Sequence, residues 1–213
     1  MRLHLGCGHN YMNGWINVET RTDVKADIYS RIEDLEYPDN SIDEILMVAV
    51  FEHFPRNVAI MQLRKMYKWL INKGVLKIIV PDFWGTIDKL KESKTLQEQQ
   101  FWYRHIFGSQ DAVPYGIHCD GFNVEKLHWM FSIVGFDEGY YEMIKQWPSI
   151  NYMGVKTKET KSDADAERDI INYMANYEAL IESGEMFGSW MKSMGLKADK
   201  PKTPVFETQR RGE

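Results

Sequence analysis

Apolar and polar positions along the chain switch between a two-residue and a near-four-residue rhythm, which predicts strands and helices in alternation. That order suits an α/β fold, a sheet with helices packed on its faces. The short stretches 2–5 and 15–19 read as the first two strands. The nearly continuous apolar run 42–51, broken by Asp43 and Glu44, suits a strand buried on both faces. Ile60, Leu63, Met66, Tyr67 and Leu70 recur at helical spacing, predicting a helix over 57–70 with Asn57 as its cap and Asn72-Lys73-Gly74 as its end. Residues 75–80 form the next buried strand, stopped by Pro81. Residues 84–107 read as helical, and 108–121 as a loop holding Pro114 and three glycines. Asn123 caps a further helix carrying Leu127, Met130, Phe131 and Val134, with Gly135 as terminator. Residues 136–144 and 151–156 are expected as two closing strands.

Composition shifts near Thr157. Residues 158–165 are polar and charged and read as a linker, after which Ile170, Tyr173, Met174, Tyr177, Leu180 and Ile181 mark one amphipathic helix. The end, 197–213, has two prolines and few apolar residues and is expected to be mobile. The chain therefore divides into a first domain over 1–156 and a helical appendage over 157–213. Spacing leaves open whether that appendage packs on its own sheet or on a second copy in a homo-oligomer.

Charge and cysteine content narrow the function. Lysine and arginine number 26 against 31 acidic residues, a net charge of −5. A nucleic-acid binder usually shows a basic excess, so none is expected as a partner. No apolar run approaches the roughly 20 residues of a membrane helix, and the glycine-broken N-terminus does not read as a signal peptide. The two cysteines, Cys7 and Cys119, form no disulfide framework and fit a reducing, cytoplasmic setting.

The first chemical signal is Gly6-Cys7-Gly8, placed directly after a strand. Glycine lets the backbone turn tightly and approach a ligand with no Cβ in the way. Glu19 closes the second strand, where a carboxylate can accept both hydroxyls of a ribose. Only residues 9–14 separate that turn from the second strand. A parallel crossover normally takes about a dozen, so spacing alone allows either a shrunken crossover or an antiparallel pair.

The segments Leu3-His4-Leu5-Gly6-Cys7-Gly8 and Gly14-Trp15-Ile16-Asn17-Val18-Glu19 resemble the opening of class I S-adenosylmethionine-dependent methyltransferases, in particular a small methyltransferase-type-11-like subgroup. The resemblance continues in order through Asp34-Leu35, Asp43, Phe51-Glu52-His53-Phe54, Gly74 to Asp82, His118-Cys119-Asp120-Gly121-Phe122 and Gly135-Phe136. The chain departs from the family at His4, Asn10 and Ala49, where an acid, a third glycine and a histidine are often found. The resemblance implies a Rossmann-like, mostly parallel sheet with an antiparallel closing strand, and a parallel first pair joined by a one-turn crossover. It implies S-adenosylmethionine as cofactor. Gly6, Cys7 and Gly8 would face its methionine and ribose moieties, Glu19 the ribose hydroxyls, Asp34 and Leu35 the adenine, and Ala49 and Val50 the wall at the fourth strand's end. It also suggests a small-molecule or glycan acceptor, with a sugar hydroxyl in surface-polysaccharide biosynthesis as the leading choice.

A hydroxyl acceptor must lose a proton, and histidine suits that work near neutral pH. His53, next to Glu52 at the fourth strand's end, and His118, in the glycine-rich loop, are the candidates, with His118 preferred. His4, His9 and His128 read as packing or surface residues, and His105 as less suited. Glu52, His53, His105, His118, Cys119 and Asp120 show no compact metal-ligand spacing, so no metal is expected. Trp84, Trp102, Tyr103, Phe107 and Tyr115 could stack on a flat acceptor, and Arg104 and Lys91 could meet an acidic one. Two rival functions are a nicotinamide-dependent oxidoreductase, which Tyr11 in place of a third glycine disfavours, and a catalytically silent protein that keeps the cofactor fold.

Overall fold

A computed structural model describes residues 1–111, 115–157, 161–180 and 183–201. The chain forms two compact units, Met1–Thr160 and Lys161–Glu213.

The first unit is built on seven strands: β1 (Arg2–Leu5), β2 (Ile16–Glu19), β3 (Ile28–Tyr29), β4 (Ile42–Val48), β5 (Leu70–Pro81), β6 (Glu138–Ile144) and β7 (Ser149–Val155). They lie in the order β3-β2-β1-β4-β5-β7-β6. The first five are mutually parallel, and β7 inserts antiparallel between β5 and β6. This is the Rossmann-like, mostly parallel sheet that the resemblance implies. Leu3, Leu5, Val18, Ile45, Met47, Leu76 and Ile78, all almost fully buried, form its centre. Each contributes on the order of 1.5–3 kcal/mol by leaving water.

β1 and β2 are parallel, pairing Leu3 with Ile16 and Leu5 with Val18. Their connection contains turns and no helical turn, contrary to the expected one-turn crossover. Asn17 makes this possible. Its side chain accepts from the Met12 N–H at 2.9 Å and donates to the Met12 and Trp15 carbonyls and to Asp27. One buried amide thus satisfies backbone groups that a helix would have paired internally.

α1 (Arg56–Trp69) starts one residue before the predicted helix, with Pro55 at its N-cap and no side-chain cap from Asn57. Proline's fixed φ already suits a helix entry, and Asn57 falls inside the first turn. The helix ends at Trp69 because Leu70 is extended and pairs with Ile42. Residues 72–74 therefore bend β5 rather than end α1, with Lys73 at φ +65. β4 is shorter than the run 42–51, since Phe51–His53 forms a 3-10 turn. The predicted helix over 84–107 is two: α2 (Phe83–Glu92) and α3 (Leu96–Phe107). Thr95 breaks it by a capping box with Glu98. α4 (Val124–Val134) is capped by Asn123 and ended by Gly135 in the left-handed region, as the sequence indicates.

The second unit holds α5 (Asp163–Asn176) and α6 (Glu185–Ser193). Predicted helical residues Tyr177 and Leu180 lie in a turn after α5, with Leu180 fully exposed. Ile181 and most of the predicted mobile tail lie outside the described residues. The buried Glu178 carboxylate accepts from the N–H groups of Met186 and Phe187, at 2.9 and 3.0 Å, and caps α6. Among the described residues no helix is long and apolar enough to cross a membrane.

Candidate functional site

Parallel strands of an open sheet end together, and loops leaving their carboxyl ends surround a crevice. Here the loops after β1, β2, β4 and β5, with residues from 101–111 and 115–119, enclose a cavity of about 1030 Å³. Gly6, Cys7, Gly8, Glu19, Ala49, Val50, His53 and His118 all line it. Asp34 and Leu35 do not: the wall there is Ile32 and Glu33. All four belong to or adjoin the 3-10 turn Ile32–Asp34, which directs Leu35 into the core and leaves Asp34 exposed.

The glycine turn has a steric reason for each glycine. Gly6 has φ +66, and a Cβ there would meet Val50 Cγ2 at 2.5 Å. Gly8 has φ +51 and faces open space, so a Cβ there would enter the cavity. Cys7 is buried, and burial, followed by the Glu19 charge, pushes its thiol above the ordinary range, which keeps it protonated and inert. The Glu19 carboxylate accepts from the N–H groups of Gly8, Thr20 and Arg21 at 2.8, 2.7 and 3.1 Å. It therefore fixes the turn as well as presenting oxygens to the cavity. A nucleoside-bearing cofactor fits this wall: an open glycine cradle beside an oriented carboxylate.

Ala49 sits at φ +54, a conformation unfavourable for a residue with a Cβ, and is held by its N–H to the Ile79 carbonyl at 2.9 Å. The strain of about 1–3 kcal/mol typical of such positions redirects the chain off β4 into the turn Phe51–His53. That turn carries Glu52 and His53 to the cavity.

The loop carrying His118 is clipped onto this turn. Cys119 N–H donates to the Glu52 carbonyl at 2.8 Å, and its Sγ lies 3.3 Å from the His53 carbonyl. His53 Nδ1 lies 2.9 Å from the Ile117 carbonyl. A carbonyl only accepts, so Nδ1 carries a proton, and in the neutral ring this leaves the lone pair on Nε2. The His53 and His118 rings meet edge to face at 4.9 Å. Ligand-capable atoms of Glu52, His53 and His118 lie within 4.8 Å of one another. Both Glu52 carboxylate oxygens are buried with no hydrogen-bond partner among the described residues. Burial pushes the Glu52 carboxyl up to about 8. Burial, then the neighbouring His53 and His105, pushes His118 down to about 4. Sequence spacing did not anticipate this trio, because 65 residues separate His53 from His118.

The far wall is aromatic: Phe101 and Trp147, with ring centroids 5.5 Å apart, and Tyr115, together with Arg104. Of the aromatic residues singled out from the sequence, only Tyr115 lines the cavity. Phe101 on α3 and Trp147 in the turn between β6 and β7 take the place of the rest, while Tyr103 and Phe107 on α3 are exposed outside the cavity. Lys91 pairs with Asp88 away from the cavity. His105 lines it with Nε2 bound to the Pro148 carbonyl at 3.0 Å. His4 is buried against Asn17 but also lines the cavity, whereas His128 meets the Tyr152 hydroxyl in a packing role.

No family model matches the chain, and no curated protein matches its sequence. Solved structures do match in shape. An S-adenosylmethionine-dependent methyltransferase from Thermotoga maritima superposes with a TM-score of 0.52 at 17% identity, over 73% of this chain and 81% of that one. One from Archaeoglobus fulgidus gives 0.51 at 12% identity, over 73% and 85%. One from Mesorhizobium loti gives 0.52 at 10% identity, over 72% and 89%. With its strand order, reversed β7 and crevice at the strand ends, the chain has the class I S-adenosylmethionine-dependent methyltransferase fold.

Proposed function

We propose that this protein transfers a methyl group from S-adenosylmethionine to a hydroxyl of a small-molecule or glycan acceptor, a sugar of surface polysaccharide being the leading choice. The observation that carries the reading is the sharing of one cavity: the Gly6–Gly8 turn and Glu19 on one side, and Glu52, His53 and His118 with an aromatic wall on the other. Gly6, Gly8 and Glu19 hold the methionine and ribose portions, and Ala49 and Val50 border them. Ile32 and Glu33 flank the adenine, taking the place expected of Asp34 and Leu35. The bound cofactor supplies an electrophilic methyl on a sulfonium. The protein's share is to align the acceptor oxygen in line with that methyl, exclude water and dispose of the hydroxyl proton. His118 and His53 are the groups proposed to receive it.

Phe101, Trp147 and Tyr115 suit the apolar face of a sugar ring. Arg104 suits an acidic or phosphorylated group on the same acceptor. The two free cysteines fit a reducing, cytoplasmic setting.

The test has two stages. Calorimetry should show saturable binding of S-adenosylmethionine and of its demethylated product, with no binding of NAD. Purified protein should then move labelled methyl onto at least one member of a panel of nucleotide sugars and glycans. Binding of NAD alone would sink the reading. Tight cofactor binding with no transfer to any acceptor would mark a silent member of the fold.

A further inference from the structure

We propose that Glu52, His53 and His118 form a binding site for a divalent transition-metal ion within the cavity. Three observations meet there. The donor set, two imidazoles and one carboxylate, is the set that first-row divalent ions favour in sites with open positions. The donor atoms already lie within 4.8 Å of one another. Donors on a shared ion stand about 3–3.5 Å apart at bond lengths of about 2.1 Å, so convergence needs side-chain shifts on the order of 1 Å.

The second observation is Glu52 itself. It is 1% exposed, lines the cavity, and has neither oxygen paired among the described residues. A buried carboxylate without a partner is strongly unfavourable. A cation among these donors removes that penalty.

The third is orientation. His53 donates Nδ1–H to the Ile117 carbonyl, which presents Nε2 as a ligand. Hydrogen bonds from the second ring nitrogen to a carbonyl are the usual way a ligating histidine is aimed. The bonds from Cys119 to Glu52 and His53 hold the two segments together before any ion arrives.

Resting on the methyl-transfer reading, the ion would bind the acceptor hydroxyl and lower its pKa, as metal-bound water is lowered to about 7. The hydroxyl proton leaves to solvent. The oxygen lone pair then forms the O–CH₃ bond while the S–CH₃ bond breaks, its electron pair passing to sulfur to leave a neutral thioether. With the ion in place, the histidines proposed above to receive the proton directly would act on it through the ion instead.

The test uses the full chain stripped with chelator, with Co²⁺ and Zn²⁺ alone as probes. Expected is one equivalent of Co²⁺ with a visible absorption band of nitrogen and oxygen ligation, displaced by Zn²⁺, and a rise in melting temperature of the stripped protein. Glu52→Gln, His53→Ala and His118→Ala should each weaken Zn²⁺ affinity by about a hundredfold or more, the upper end of what loss of even an outer partner brings. Glu52→Gln keeps the shape of the side chain and should fold as the parent does. Absence of stoichiometric Co²⁺ and Zn²⁺ binding overturns the site, and so does affinity unchanged in all three variants. Full methyl transfer by the stripped protein in chelator overturns the ion's role while sparing the enzyme reading. Metal binding without S-adenosylmethionine binding does the reverse.

Discussion

The Gly8 N–H donates to the Glu19 carboxylate at 2.8 Å, joining the turn after β1 to the end of β2. The carboxylate proposed to hold a ribose therefore also holds the protein's own turn. Glu19→Ala should lower cofactor affinity about ten- to a hundredfold, since hydrogen bonds to a charged acceptor are worth about 1.5–3 kcal/mol. It should also lower the melting temperature of the cofactor-free protein. Glu19→Gln keeps an acceptor and should fall between. A Glu19→Ala protein with parental affinity by calorimetry would reduce Glu19 to a surface acid.

The two glycines of that turn should respond differently. Gly6→Ala forces a Cβ to within 2.5 Å of Val50 Cγ2 at a positive φ, so it should destabilise the fold by about 1–3 kcal/mol. Adding Val50→Ala should return part of this in a denaturant titration. Gly8→Ala meets no neighbouring atom and carries only the conformational penalty, about 1 kcal/mol. Its methyl stands in the cavity, so its main effect should be on cofactor affinity. Equal effects of both substitutions on stability and on binding would contradict this division.

The difference between these glycines and the wall formed by Ile32 and Glu33 shows how far sequence reaches. A glycine turn after a strand and an acid at the next strand's end are fixed by a two-residue alternation, so Gly6, Gly8 and Glu19 can be placed by counting. Asp34 and Leu35 sit in a 3-10 turn, where each residue rotates by roughly 120°. There a one-residue offset exchanges cavity for solvent or core, and Ile32 and Glu33 take the lining positions. The Glu52, His53 and His118 cluster depends on hydrogen bonds between a turn and a remote loop, which leave no local pattern. α6 is amphipathic, burying Phe187 and Met191, but it is only nine residues long and starts at a cap supplied by Glu178 from outside the helix. The break between α2 and α3, by contrast, is legible in Thr95 and Glu98, three residues apart as a capping box requires, although helix-forming residues on either side obscure it.

Lys156 offers a control remote from the cavity. It is buried beside the amino end of β5, and its ammonium donates to the Tyr67 and Leu70 carbonyls at the end of α1 and to Asn40. A cation there satisfies carbonyls that α1 leaves open and complements its dipole. Lys156→Met should lower stability by about 1–3 kcal/mol for the acceptors left unpaired. Cofactor affinity at the opposite end of the strands should stay within about twofold. Loss of affinity without loss of melting temperature would show coupling that this placement does not explain.

The second unit should be dispensable for cofactor binding. Every described residue that lines the cavity lies in Met1–Thr160. A chain ending at Thr160 should stay folded by circular dichroism and bind S-adenosylmethionine with parental affinity. An unfolded product would show that 161–213 completes the core of the first unit.

His53 and His118 should separate into two behaviours. His53 ties the loop through the Ile117 carbonyl, so His53→Ala removes a side chain from the cavity and also releases one of the clips on segment 117–119. It should lose methyl transfer and part of the cofactor affinity together. The His118 N–H donates to the Phe107 carbonyl and its ring meets His53, away from the glycine turn and Glu19. His118→Ala should therefore keep cofactor affinity within about threefold while transfer falls by about a hundredfold or more, the scale for losing a group that handles the acceptor's proton. Labelled methyl uptake and calorimetry on the same preparations separate the two quantities. Full turnover in His118→Ala with none in His53→Ala would give the chemical role to His53 alone. Activity in both would mean that alignment by the cavity suffices and that the acceptor gives its proton directly to water.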